Sequence, residues 1–397
     1  MSDITTALTD HSARDRREAV SARIRELELP RSLLPADGRF GSGPSRVRAE
    51  QVQALAAGAT TILGTSHRQA PVKHVVGRVR EGLGDLFSLP EGYEVVLGNG
   101  GSTAFWDIAA LCLVQRRSEH LVCGEFSQKF ANEVAAAPHL QEPEVIRAEP
   151  GQLPEPVPRD DVDAYAWAQN ETSTGVMAPV RRPGDAGNDQ LVLIDATSAA
   201  GGVMFDPTQA DAYYFAPQKA FASDGGLWLA VLSPAAIQRA ERIATEGSHW
   251  IPSILSLTTA LENSRKDQTL NTPAVATLVL MAEQIEWMNR QGGLAWADAR
   301  TRETSGLLYA WADRREEITA FVTDPAARSQ VVVTLDVAEH IDATAITALL
   351  RSHGVVDIEP YRKLGRNQLR IATFPAVPPQ DVQALIATLD HVLDAIG

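Results

Sequence analysis

The chain has 397 residues, 44% of them hydrophobic and 22% charged, an ordinary globular balance that is enough to bury a sizeable core. Its 36 lysines and arginines face 50 aspartates and glutamates, and the resulting charge of −14 argues against general binding to nucleic-acid phosphates, so any anion site must be local. No window reaches the ~18 apolar residues of a membrane span, the N-terminus lacks a signal-peptide core, and Cys112 and Cys123 form no CxxC or Cys/His cluster, so a cytoplasmic protein with no membrane segment and no metal site is expected.

The first 48 residues are punctuated by Pro and Gly and read as an arm. From there, "YEVVLGNGGSTAFWDIAALCLV" is an apolar run, a glycine turn and a segment of helical spacing, and "HLVCGEFSQKFANEVAA" repeats that grammar. "HLQEPEVIRAEPGQLPEPVPRDDVDAY", rich in Pro and acids, reads as a surface connection. "LVLIDATSAAGG" and "ADAYYFAPQKAF" resume the alternation, which predicts the α/β class with a mainly parallel sheet covered on both faces. A long helical pattern broken at Gly292 and Gly293 then gives way to "QVVVTLDV", "ITALLRSHGVV", "QLRIATF" and "VQALIATLDHVLDAI", a compact α+β unit. The expected organisation is a large domain over 49–287 and a smaller one over 288–397, with the arm 1–48 packing near the latter.

Three places carry candidate chemistry. In "VVLGNGGSTAFWDI" glycines precede Ser102 and Thr103 at a helix start, which suits either a tight βα turn with an N-cap or an anion held by backbone N–H groups. A dinucleotide reading is weak, because the final glycine of GxGxxG is missing. Asp195 ends the apolar run "LVLI", where it either caps the next helix or faces a ligand at the sheet edge. Lys219 follows beyond the next apolar run, as a solvated loop lysine or as an amine whose pKa burial lowers. An acid and an amine at neighbouring strand ends are what pyridoxal phosphate requires: the acid keeps the ring nitrogen protonated and the lysine joins the aldehyde carbon. Phe126, at another strand end, either covers the ring face or belongs to the core.

"GSGPSRV", "TSHRQAPV", "NETSTGV", "IDATSAAGG", "APQKAFASDGGLWLAVLSP", "LNTP" and "YRKLGRNQLRIATF" occur in the order found in phosphoserine aminotransferases, and the chain resembles the actinobacterial branch of that family over nearly its whole length. The resemblance implies a fold-type I, class V pyridoxal 5'-phosphate enzyme with a seven-stranded sheet, working as a homodimer with shared sites. It implies that Lys219 binds the cofactor covalently, that Asp195 pairs with the ring nitrogen and that Thr172 reaches the ring hydroxyl. Gln218, Ser102 and Thr103 would meet the cofactor phosphate, with Asn271 and Thr272 completing that site from the neighbouring subunit. Many relatives carry an arginine where this chain has Thr103 and a tryptophan where it has Phe126. For substrate, the resemblance points to Ser42 and Arg370 at the carboxylate. Arg68 beside His67, together with a basic residue across the dimer, would take the phosphate or distal carboxylate, and Arg362 and Arg366 stay open as alternatives. The implied reaction exchanges an amino group between phosphoserine and 2-oxoglutarate, giving 3-phosphohydroxypyruvate and glutamate, in serine biosynthesis.

Three rivals share parts of this pattern. Another class V enzyme, such as a desulfurase or an alanine–glyoxylate aminotransferase, would keep Lys219 and Asp195 without needing two arginine clusters. A nicotinamide-dependent oxidoreductase would use the glycine turn alone. A regulator that merely holds the cofactor would carry a DNA-binding appendage, for which the arm is too short and too mixed in charge.

Overall fold

The computed structural model describes residues 15–184 and 189–397, so the first 14 residues of the arm lie outside the described residues. Its strands in chain order are β1 (Glu94–Asn99), β2 (Ser118–Val122), β3 (Glu144–Arg147), β4 (Ala164–Ala168), a short ribbon of β5 (Asn170–Glu171) and β6 (Val176–Met177), then β7 (Leu191–Asp195), β8 (Ala212–Phe215) and β9 (Leu227–Leu232). The main sheet is seven-stranded in the order β1-β9-β8-β7-β4-β2-β3. Only β9 is reversed, running antiparallel to both β1 and β8. The C-terminal ends of β1, β4, β7 and β8 therefore share one edge.

Period-two alternation explains why both faces are dry. In β7, Val192 and Ile194 join the cluster built with the helices Ala70–Phe87 and Val275–Gln291, through residues such as Val79, Leu83, Met281 and Ile285. Leu191 and Leu193 join the opposite cluster, filled by Phe105 and Ile108 of the helix Gly101–Cys112 and by Phe130 and Val134 of the helix Glu125–Ala136. In β8, Tyr213 and Phe215 go to one face and Tyr214 to the other, where its ring stacks on Phe105 at 4.4 Å. Both cysteines are free and buried.

The segment read as surface connection contains β3, which lies parallel to β2 at the sheet edge. Its residues are half-buried or exposed, so the strand lacks the continuous apolar run that marks its neighbours. Downstream, β10 (Ile318–Ala320), β11 (Val332–Val337) and β12 (Gln368–Ala372) form a three-stranded antiparallel sheet packed with the helices Ala343–Ser352 and Pro379–Ile396. The three-residue β10 was not anticipated, being too short to show an alternation. The helix Gly293–Ala312 is continuous between the two cores: Leu294 and Ala297 enter the first, Leu308 and Trp311 the second. Ile24, Leu29 and Phe40 of the arm also enter the second core. Among the described residues no helix is long and apolar enough to cross a membrane.

Leu193, fully buried between the sheet and its helices, provides a check on this packing. Leu193→Ala is expected to cost ~2–5 kcal/mol of unfolding free energy in a urea titration. A loss below ~1 kcal/mol would mean that this face is not close-packed.

Candidate active site

The site grows from the shared strand edge. At the end of β1 the chain turns through Gly100, whose φ is 125° and where an added Cβ would lie 2.6 Å from the Cβ of Ala104. That turn starts the helix Gly101–Cys112, and the unpaired N–H groups of its first turn open beside Ser102 and Thr103. Asp195, the last residue of β7, lies in register with Ala168 of β4 and Tyr214 of β8. Lys219 follows β8 by one short turn. Between these elements lies a cavity of about 460 Å³, lined by Ser102, Thr103, Phe126, Thr172, Asp195, Gln218 and Lys219, all singled out from the sequence.

Lys219 is 9% exposed, and its Nζ donates to the backbone carbonyl of Ser42, a buried residue outside the lining itself. The GSGP segment that supplies this carbonyl is tied back by Ser45 N–H donating to the Gln218 carbonyl at 2.8 Å. Gly43 must be glycine: its φ is 138°, and a Cβ would stand 2.5 Å from Nζ and 2.6 Å from Cε of Lys219. Burial, and after it the positive charge of Arg370, bring the Lys219 amine down to about 8, against the pull of Asp195 and Glu171.

Asp195 is buried, and burial pushes its carboxyl above the ordinary value. Opposing this, Thr197 donates its backbone N–H (2.9 Å) and its hydroxyl (2.5 Å) to Oδ1, and Trp106 donates Nε1–H to Oδ2 at 2.9 Å. The Thr197 hydroxyl lies 2.6 Å from that of Ser102, so with Thr197 donating to Asp195, Ser102 donates to Thr197. Thr172 donates to Ser198 at 3.0 Å, and Ser198 also accepts from the Asn170 amide at 2.8 Å. Two acceptors in the lining, Gln218 Oε1 and Asn170 Oδ1, are buried without a partner.

Phe126 is oriented from below by Glu171, which is completely buried. The Glu171 carboxylate accepts from the backbone N–H groups of Phe126 (3.1 Å to Oε2) and Ser127 (2.9 Å), and from the hydroxyls of Ser127 (2.9 Å) and Ser173 (2.7 Å). It thus caps the helix Glu125–Ala136 from outside that helix. Above, Tyr361 approaches the Phe126 ring with centroids 6.0 Å apart, and Lys363 pairs with Glu125 at the mouth.

The basic loop divides. Arg370, on β12, donates from Nη1 to the Thr172 carbonyl at 3.4 Å and lies over the Tyr361 ring at 5.4 Å. Its Nε is buried without a partner, and Arg370 stands next to the cavity through Thr172. Arg366 is engaged elsewhere: it grips Asp336 bidentately at 3.1 and 2.6 Å and stacks over Phe321 at 4.5 Å. Arg362 is exposed, and neither it nor Arg366 lines the cavity. His67, Arg68, Asn271 and Thr272 are also outside the cavity of their own chain. They gather in a separate group, His67 with Thr272 at 3.2 Å, Arg68 with Gln268 at 3.0 Å, and Asn271 with Asn99 at 2.6 Å.

Sequence reasoning missed Gly43, Trp106, Asn170, Thr197 and Ser198 in the lining and Glu171 beneath it. A signal existed for two of them. Trp106 lies one helical turn beyond Ser102, on the same face, and Thr197 two residues beyond Asp195, the spacing of an Asx turn. Glu171 has a local partner in Ser173, but its role beneath Phe126 carries no local signal, since Phe126 and Ser127 are 45 and 44 residues away.

In the chain free of small molecules, acylation of Lys219 followed by peptide mass analysis is expected to titrate with a midpoint near 8. Arg370→Gln removes a neighbouring positive charge and so should move that midpoint upward. An unchanged midpoint would show that Arg370 does not set the charge state of the amine.

The aminotransferase class-V family model matches residues 43–357. The chain is 60% identical over 369 residues to a phosphoserine aminotransferase of a Nocardioides species, covering 93% of this chain and 98% of that one. It is 59% identical over 370 residues to a putative phosphoserine aminotransferase of Mycobacterium leprae, again covering 93% and 98%. Among solved structures, it is similar to a phosphoserine aminotransferase from Cytophaga hutchinsonii, with a TM-score of 0.81, 24% identity and coverage of 89% and 99%. One from Bacillus circulans gives 0.79, 20%, 91% and 99%. The family match runs from Gly43, the glycine beside the Lys219 amine, to Asp357 in the loop ahead of Arg370, and the chain belongs to the class-V aminotransferases.

Proposed function

We propose that the chain is a phosphoserine aminotransferase, exchanging an amino group reversibly between phosphoserine and 2-oxoglutarate to give 3-phosphohydroxypyruvate and glutamate, in serine biosynthesis. The observation that carries this reading is the buried amine of Lys219 facing one cavity with the buried carboxylate of Asp195 and the open helix start at Ser102. Relatives 58% to 60% identical over nearly the whole chain bear the same activity in their names.

The lining fits pyridoxal 5'-phosphate on the structure's own terms. An amine, a carboxylate and a cluster of N–H and hydroxyl donors line the cavity, and the buried amides of Gln218 and Asn170 each keep an unpartnered end, which for Gln218 can be turned to present its N–H to a phosphate. Lys219 would hold the aldehyde carbon, Asp195 the ring nitrogen, Thr172 the ring hydroxyl, Phe126 a ring face, and Ser102, Thr103 and Gln218 the phosphate. When bound, the cofactor supplies an electrophilic carbon for amines and a ring that accepts electron density.

The rest is done by the chain. With the Lys219 amine brought down to about 8, a much larger share of it is neutral at pH 7 than for an unperturbed lysine, so Nζ can take up a proton and return it. The carbonyl of Ser42 accepts from Nζ and fixes its resting direction. Arg370, its Nε unpartnered and its plane set by Tyr361, is oriented to bind the α-carboxylate common to both amino acids and both keto acids. Burial of the amine and the acid keeps bulk water from the reacting atoms.

The reading extends to a cytoplasmic homodimer with shared sites. His67, Arg68, Asn271 and Thr272 stand outside their own cavity, where they would serve the neighbouring subunit's site, and Trp250, 81% exposed, lies with Ile254 and Leu270 on a surface a second copy would cover.

Borohydride trapping with peptide mapping tests the chemistry: the label is expected on Lys219 and should diminish when phosphoserine is added first. Label on another residue, or a chromophore indifferent to phosphoserine, would overturn the assignment. Lys219→Ala should lower kcat by at least ~10³-fold. Co-expressed Lys219→Ala and Arg68→Ala chains are expected to recover activity that neither has alone, since shared sites leave one intact site per mixed dimer. Absence of recovery would place Arg68 outside the partner's site.

A further inference from the structure

The carboxylate of Asp195 is held at both ends, and only one of its anchors follows from its own turn. Thr197 takes Oδ1 from two residues away, an arrangement local sequence produces by itself. Trp106 takes Oδ2 through Nε1–H at 2.9 Å, across 89 residues and from a different wall of the cavity. We propose that Trp106 is a positioning residue for the transamination chemistry, locking the plane of the Asp195 carboxylate against Thr197 and tying it to the helix that opens at Ser102. This rests on the reading of the cavity as a cofactor site.

Geometry makes the lock specific. Ser102 and Trp106 are one helical turn apart, so the same face of the helix Gly101–Cys112 presents a hydroxyl to Thr197 and an indole to Asp195. A carboxylate bound at one oxygen can still swing about the bond to its Cβ; bound at both, from opposite sides, it cannot. Oδ1 uses both its lone pairs on Thr197, whereas Oδ2 accepts from the indole alone and keeps one for a ligand, so the indole need not displace a ligand from the acid. Trp106 is 5% exposed, and both it and Asp195 line the cavity. Indole is donor-only and stays neutral, so it stabilises the ionised acid without a counter-charge that would compete for the ligand's ring nitrogen. The ionisable groups facing Asp195 are Lys219 across the cavity, Glu171 beneath it, and Tyr214 on the adjacent strand, whose phenol burial holds neutral. Lys219 favours the ionised acid and Glu171 opposes it, which leaves the hydrogen bonds from Thr197 and Trp106 to offset the cost of burial.

Two substitutions separate hydrogen bonding from packing. In Trp106→Phe an aromatic ring remains but the donor is lost. In Trp106→His much of the ring volume is lost, yet an imidazole N–H can occupy the place of the indole N–H, since both sit two bonds from the ring's attachment point. In Trp106→Phe we expect kcat to fall about 10- to 100-fold. The acidic limb of the kcat–pH profile should move to higher pH, and the dissociation constant of pyridoxal 5'-phosphate, titrated by absorbance into the apo-chain, should rise at least several-fold. Trp106→His should recover part of all three. Thermal melting of each apo-chain reports whether it is folded, and if Trp106→Phe does not fold, the Trp106→His comparison with the natural chain is read alone, with a near-natural pH limb expected. The proposal is overturned if Trp106→Phe keeps the natural pH limb and affinity, or if Trp106→His is the more damaged of the two. Failure of the natural chain to bind the cofactor at all would instead overturn the assignment of the cavity.

Discussion

Burying an amine and a carboxylate on neighbouring strand ends is the demand around which the rest of the structure is arranged. A charge removed from water is costly unless other polar groups replace the lost hydration, and Lys219 and Asp195 are both inside. Each is therefore surrounded by fixed donors or acceptors: a backbone carbonyl at Ser42 for the amine, and Thr197 and Trp106 for the acid. The reversed strand β9 and the glycine at position 43 are part of the same solution, one placing Gly225 at the cavity edge and the other leaving room for the lysine's last carbons.

Glu171 meets the same demand out of sight of the cavity. Fully buried, it spends its lone pairs on the first turn of the helix Glu125–Ala136 and on Ser173, so the helix that presents Phe126 is capped by a residue from the β5 ribbon. Around the cavity most buried polar atoms are satisfied internally; Gln218 Oε1 and Asn170 Oδ1 in its lining, Arg370 Nε just behind it and the Tyr214 hydroxyl on β8 are not. Polar atoms without a protein partner in a cavity lining are ones a ligand can engage, whereas those of Arg239, Gln330 and Gln368 lie outside that lining.

Much of this was legible in the residues. The apolar runs of β7 and β8 end at Asp195 and shortly before Lys219, and parallel connectivity puts both on one edge, so the α/β class and the central pair could be read from pattern alone. The glycine turn before Ser102 was legible for the same reason. What could not be read depends on distance along the chain: Trp106 to Asp195 spans 89 residues and Glu171 to Phe126 spans 45. Arginines in one loop look equivalent in sequence, yet Arg370 is on a strand facing Thr172 whereas Arg366 is drawn away by Asp336 and Phe321. The strand β3 escaped because an edge strand need not be apolar.

The cavity is lined by the large-sheet unit and the GSGP segment, and the smaller core stands next to it. Asp195 ends a strand of the large sheet and Lys219 follows another, Arg370 is on β12 of the smaller sheet with Tyr361 in the loop before it, and the long helix Gly293–Ala312 is rooted in both cores. Between the two run the Arg370–Thr172 hydrogen bond, the Thr334 hydroxyl donating to the Thr174 carbonyl at 2.9 Å and the Ser329 N–H donating to the Gly175 carbonyl at 3.0 Å, with the Tyr361–Phe126 ring contact and the exposed, salt-sensitive Lys363–Glu125 pair at the rim. An apolar cluster in which Ala199 and Ala220 meet Val332 and Phe374 closes the seam behind those bonds, so dissolved salt can loosen its outer rim while the spacing of guanidinium and amine is held by contacts that ions do not reach.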